Sequence, residues 1–161
     1  MSITSVEKDL DNLTLILTAE FNAPLDRVWT LWEDPRQLEK WWGPPGYPST
    51  FEEHNLAPGG QVTYYMTSPE GERHRGWWRV DAVTPPTSLE FTDGFADQEG
   101  NPIEDMPVTT VHIRLSEHAG GTRMQMRSVF ASGEQMQRSL DMGIEEGIKA
   151  SIGQIDALLA A

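Results

Sequence analysis

The chain contains no cysteine. Disulfides, thiolate nucleophiles and Cys-ligated zinc or iron–sulfur sites are therefore excluded. Long apolar runs are also missing: nothing approaches the roughly 18 residues that a membrane-spanning helix needs, so no membrane insertion is expected. Basic residues are scarce, with 12 Lys and Arg against 25 Asp and Glu, for a formal net charge of −13. That balance repels phosphate backbones and anionic lipid, so nucleic acid is not an expected partner. Glu7, Asp9 and Asp11 stand where a secretory signal requires a basic and then an apolar stretch, and a soluble, cytoplasmic protein is the expectation. G-x-S-x-G, H-E-x-x-H, the phosphate-binding G-x-x-x-x-G-K and G-x-G-x-x-G after a strand are all absent. His54, His74, His112 and His118 lack a second histidine at helical spacing, and Asp97, Glu99 and Asn101 lack the order of a calcium loop. Neither a metal nor a cofactor is expected.

What is present is patterned apolar sequence. The 161 residues suit one domain, 1–161, with residues 1–11 expected to be a loosely ordered tail. Leu13, Leu15, Leu17, Ala19 and Phe21 alternate, which predicts a strand over Leu13–Phe21 with one buried face. Pro24 and Asp26 suit the start of a helix carrying Leu25, Val28, Trp29 and Trp32. Asp34 opens a second short helix that brings in Leu38, Trp41 and Trp42 and ends at Gly43-Pro44-Pro45-Gly46. Six strands are expected between Phe51 and Phe130, with a long acidic, Gly- and Pro-containing loop over Asp93–Pro107. From Ser132 to Leu159, apolar residues at steps of three and four predict one long amphipathic helix. A helix of that length must cover the apolar face of the strands. The economical solution is an α+β fold in which a curved antiparallel sheet wraps around the C-terminal helix.

Trp32, Trp41, Tyr64, Met66, Trp78, Phe91, Met124, Met126, Met136 and Leu140 are expected to point between sheet and helix. Ordinary core explains such a set. A cavity for a small hydrophobic or aromatic molecule explains it equally, because Tyr and Trp add polar handles to apolar bulk and Met adapts to shape. Gly143, Gly147 and Ser151 form a row of small residues beside Ile144 and Ile148. Either the helix packs unusually close to the sheet there, or it leaves room. Gly143, Ile144 and Gly147 accordingly join the candidate ligand-binding residues. An enzyme would need an acid or base inside, for which Tyr64, His54 and Glu53 are the candidates.

Several ordered stretches carry a resemblance. They are Phe21-Asn22-Ala23-Pro24-Leu25-Asp26-Arg27-Val28-Trp29 with Leu38-x-x-Trp41-Trp42-Gly43-Pro44, then Leu56-x-Pro58-Gly59-Gly60, then Val83-x-Pro85-Pro86-x-x-Leu89-x-Phe91-Thr92, and Gly121-Thr122-x-Met124 leading to Met142-Gly143-x-Glu145-Glu146-Gly147. Over about Leu13 to Leu159 the chain resembles domains similar to the activator of Hsp90 ATPase, within the START-like (SRPBCC) superfamily. The resemblance implies a helix-grip (START/Bet v 1-like) fold, with two short helices after the first strand and a cavity between sheet and C-terminal helix. It also implies a choice of roles. Non-catalytic carriage of a small hydrophobic or aromatic molecule is the leading one. A polyketide cyclase- or hydrolase-like enzyme and an Hsp90 co-chaperone-like module are the alternatives. Hsp90 is the weaker partner, since the co-chaperone's separate N-terminal domain has no counterpart before the strand expected at Leu13. The expected assembly is a monomer or homodimer.

Overall fold

A computed structural model describes residues 3–160. Its strands are β1 (Ile3–Asp9), β2 (Thr14–Phe21), β3 (Ser49–His54), β4 (Gln61–Thr67), β5 (Arg73–Thr84), β6 (Ser88–Ala96), β7 (Thr109–His118) and β8 (Gly121–Phe130). They form one sheet in the order β1-β2-β8-β7-β6-β5-β4-β3, and every neighbouring pair is antiparallel. Alternation decides which face is buried: Leu15, Leu17, Ala19 and Phe21 of β2 and Val111, Ile113 and Leu115 of β7 all turn inward. Register shifts in β1, β3 and β5 bend the sheet. The helices are α1 (Leu25–Glu33), α2 (Pro35–Leu38), α3 (Gly133–Asp141), α4 (Ile144–Ile152) and α5 (Ile155–Ala160). The arrangement is the expected helix-grip fold, a curved antiparallel sheet with the C-terminal helical stretch on its inner side.

Local chemistry sets the helix ends. Asp34 caps α2 by accepting from the Arg36 N–H at 2.9 Å, with Pro35 at the first helical position. Ser132 caps α3 by accepting from the Gln135 N–H at 3.1 Å. Trp41 and Trp42 lie in the turns just past α2, not within it.

Three expectations need correction. Ile3–Asp9 is not a loose tail but strand β1, paired with β2 and tied to α4 by Lys8 Nζ and Glu145 Oε1 at 2.9 Å; Met1 and Ser2 lie outside the described residues. The sheet therefore has one strand more than the seven expected. Asp93–Ala96 is not loop but the end of β6, so the connection to β7 begins at Asp97. The single long helix is three segments. Gly143 adopts φ +87°, a left-handed conformation that ends α3 and starts α4 in a new direction, and a turn at Gly153-Gln154 separates α4 from α5.

The core is aromatic at the end of the sheet nearest α1 and α2. Trp32, Trp41, Trp42, Trp78 and Phe91 interlock, with Trp78 and Phe91 stacked at 3.9 Å and Trp32 edge-on to Trp41 at 4.7 Å. Such pairs add about 0.5–1.5 kcal/mol each beyond the area they bury. A smaller cluster of Leu15, Phe130 and Met136, with Leu140 against it, closes the opposite end beneath α3.

Candidate functional site

Between these two packed regions the helical layer stands away from the sheet. Ile144 and Ile148 of α4 are only half-buried, although they face the apolar side. A β-carbon added at Gly147 would meet nothing within 4 Å. At its two glycines, Gly143 and Gly147, the small row therefore leaves room. The room is a hollow of two lobes that share Tyr64, Met66, Asp93, Phe95, Thr109 and Ile144. The first lobe, about 230 Å³, lies between α4 and strands β4 and β6 to β8, and is walled by Trp41, Trp42, Val111, Met126, Gly147, Ile148 and Ile152. The second, about 250 Å³, opens toward the α3–α4 corner and adds His74, Arg75, Ser139, Met142 and Gly143.

The polar floor comes from three adjacent strands. Tyr64 on β4 pairs with Gly76 on β5, and the missing side chain of Gly76 lets the tyrosine ring lie across that strand. Beyond it, Asp93 follows Leu89 and Phe91 along the inward face of β6. The Tyr64 hydroxyl donates to Asp93 Oδ1 at 3.1 Å. Asp93 is half-buried and lines both lobes. Burial pushes its carboxyl up from the ordinary 3.8 to about 7, and the hydrogen bond from Tyr64 restrains that rise. Burial and the neighbouring Asp93 both push the Tyr64 phenol well above its ordinary value, so it remains a neutral donor. The indole N–H groups of Trp42 and Trp78 also favour the Tyr64 phenolate, yet each lies outside proper hydrogen-bonding geometry and has no partner. Asp93 can thus carry either a proton or a negative charge near neutral pH, inside an apolar wall.

Of the residues expected at a ligand site, the structure brings Trp41, Tyr64, Met66, Met126, Gly143, Ile144 and Gly147 to the hollow. Trp32, Trp78, Phe91 and Met124 are instead filled core with no border on it, and Met136 and Leu140 pack in the cluster under α3. Among the candidate acids and bases only Tyr64 reaches it. Glu53 is exposed, and His54 bonds through Nε2 to the Trp32 carbonyl oxygen at 3.1 Å, where burial lowers its pKa. Sequence reasoning missed Trp42 and Phe95, placed Asp93 only at the start of the Asp93–Pro107 loop, and named Ile148 only as a neighbour of the small row. Asp93 and Phe95 were legible as two further period-two steps after Leu89 and Phe91. Among the described residues no group of three or more metal-ligating side chains is placed to hold an ion, and no helix is long and apolar enough to cross a membrane.

A family model described as Activator of Hsp90 ATPase homolog 1-like protein matches residues 22–160. Among solved structures, the chain is similar to protein Ms6760 from Mycobacterium smegmatis, with 53% identity and a TM-score of 0.90 over 98% of this chain and 96% of that one. A protein from Arthrobacter aurescens is 48% identical with a TM-score of 0.95, covering 99% of this chain and 92% of that one. A protein from Silicibacter pomeroyi whose description names the same family is 25% identical, with a TM-score of 0.74 over 91% and 97% of the two chains. None of the curated proteins compared with the chain matches it.

Proposed function

The chain belongs to the Activator of Hsp90 ATPase homolog 1-like family, and from that premise we propose that it binds a small hydrophobic or aromatic molecule in the hollow between sheet and α4, without transforming it. One observation carries the reading: α4 presents Gly147 to open space where an ordinary helix would present a packed side chain. A glycine in a helix interior costs about 0.5–1 kcal/mol relative to alanine, and here that cost is met by no close contact. The first lobe is walled mainly by aromatic, Met and aliphatic side chains with few polar groups, the composition that suits an apolar ligand. The test is a thermal-shift screen of aromatic and aliphatic compounds, neutral and charged, together with mass spectrometry of small molecules that co-purify. A ligand at one hundred times its Kd adds about 2.7 kcal/mol of stability. If no apolar class shifts the melt and nothing co-purifies, the reading fails.

A second reading, a cyclase- or hydrolase-like enzyme, is favoured by the Tyr64–Asp93 pair, which sets a neutral donor beside a carboxyl titrating near 7. Turnover of a polyketide surrogate that disappears in Tyr64→Phe would support it over simple binding. The family's description names Hsp90. Saturable binding of this chain to Hsp90 with faster ATP hydrolysis would replace both readings by the co-chaperone one.

A further inference from the structure

We propose that the molecule taken up is a lipophilic cation, an apolar body of one to two rings bearing a single ammonium group that seats against Asp93. This inference rests on the binding reading above and names the ligand class for the same hollow. It follows from what lines the first lobe. Among the described residues, Asp93 and Tyr64 are its only titratable side chains, so one carboxyl supplies the charge that the lobe can offer. Among the described residues, the carboxyl is given only one side-chain partner, the Tyr64 hydroxyl on Oδ1, which leaves Oδ2 without a protein donor. Trp41, Trp42, Tyr64 and Phe95 line the same lobe. A lone carboxyl in an aromatic-lined lobe has the chemistry that recognises an ammonium, through ring quadrupoles and one charge-assisted hydrogen bond. A neutral hydrocarbon gives the carboxylate no counter-charge and favours its protonated form, and an anion would be repelled by the ionised one.

The groups facing Asp93 from other elements do not supply a rival charge in this lobe. Tyr64 on β4 stays protonated. Arg75 and His74 on β5 border only the second lobe, and Arg75 Nη1 is engaged by Glu52 at 2.7 Å. Strands β7 and β8 and helix α4 contribute Thr109, Ser128 and Ser151 to the first lobe, none of them titratable, and α3 contributes Ser139 to the second. The chain's net charge of −13 adds a field that draws cations toward it. As for size, an apolar cavity of about 150 Å³ accepts benzene, so the 230 Å³ of the first lobe admits a larger body.

Calorimetric titration with three probes of similar shape tests the inference: naphthylethylamine, ethylnaphthalene and naphthylacetate. At about pH 8, where Asp93 is ionised, the amine is expected to bind at least about tenfold tighter than the hydrocarbon, the size of one charge-assisted hydrogen bond. The advantage should shrink as pH falls to about 5.5 and the carboxyl takes up its proton. It should also vanish in Asp93→Asn. The pH series on the unmutated chain needs no variant, and a variant that fails to fold does not blunt it. Hydrocarbon or anion binding as tightly as the amine, or an amine preference indifferent to pH, would overturn the inference while leaving apolar binding intact. No binding by any probe would overturn the binding reading as well.

Discussion

The Tyr64 hydroxyl reaches Asp93 Oδ1 at 3.1 Å by passing over Gly76, the residue that pairs with Tyr64 on the intervening strand. Neither partner is placed by its own strand alone. Inward alternation brings both to the same face, and the missing side chain between them closes the remaining distance. The result is a protonatable group held at the floor of an otherwise apolar hollow.

Removing the hydroxyl should push the carboxyl further from its ordinary range. The Tyr64 hydrogen bond favours the ionised form of Asp93, so Tyr64→Phe is expected to raise the Asp93 pKa above the present value of about 7. Carbon-detected NMR titration of the Asp93 carboxyl measures this. A pKa that stays put or falls would show that the hydroxyl does not stabilise the carboxylate.

Stability should carry the same signature. Above its ordinary value of 3.8 the unfolded chain releases the Asp93 proton, whereas the folded chain keeps it until about pH 7. The folded state binds more protons throughout that window, so this group's contribution falls as pH rises across it and is flat beyond. The shift corresponds to on the order of 4 kcal/mol. Urea unfolding of the unmutated chain and Asp93→Asn between about pH 4 and pH 8 should show the variant gaining relative stability with pH. His54, whose pKa burial lowers, is common to both chains and cancels in the difference. Parallel curves would contradict the assignment.

Gly76→Ala tests the crossing itself. A β-carbon there would lie 2.5 Å from the Tyr64 hydroxyl, so the ring must move or the strands must part. A loss of about 1–3 kcal/mol is expected from such overpacking. The Asp93 pKa should rise as in Tyr64→Phe, because the displaced hydroxyl no longer donates. An unchanged titration would mean that the ring accommodates the methyl group without leaving the carboxyl.

The sheet was largely readable from the chain because its strands bury one face, and Leu13–Phe21 or Val111–Leu115 advertise that by strict alternation. β1 did not read as a strand. As an edge strand with a register shift near its start, it half-buries Ile3, Val6 and Asp9 at every third residue, and no period-two signal survives. The break at Gly143 was hidden for the opposite reason. The apolar stripe continues through it from Leu140 to Ile144, and only the backbone conformation of one glycine reveals the change of direction. The aromatic set divided in a way composition does not encode: Trp41 borders open space while Trp32 and Trp78 fill the core beside it. Asp93 reads as the start of a loop because its surroundings, Asp93-Gly94 before an acidic stretch, have a loop's composition, although the alternation from Leu89 runs on through it.

The central claim is that the space beside α4 is where a ligand sits, and Gly147→Leu addresses it most directly. Leucine forms helix better than glycine, by somewhat less than the roughly 0.8–1 kcal/mol that separates alanine from glycine, and at this position its β-carbon would enter open space. Paired measurements of urea midpoint and of affinity for an apolar probe that binds the unmutated chain decide the matter. The account predicts a midpoint equal to or higher than that of the unmutated chain, with probe binding abolished. A large fall in midpoint, or binding that persists with the first lobe filled, would contradict it.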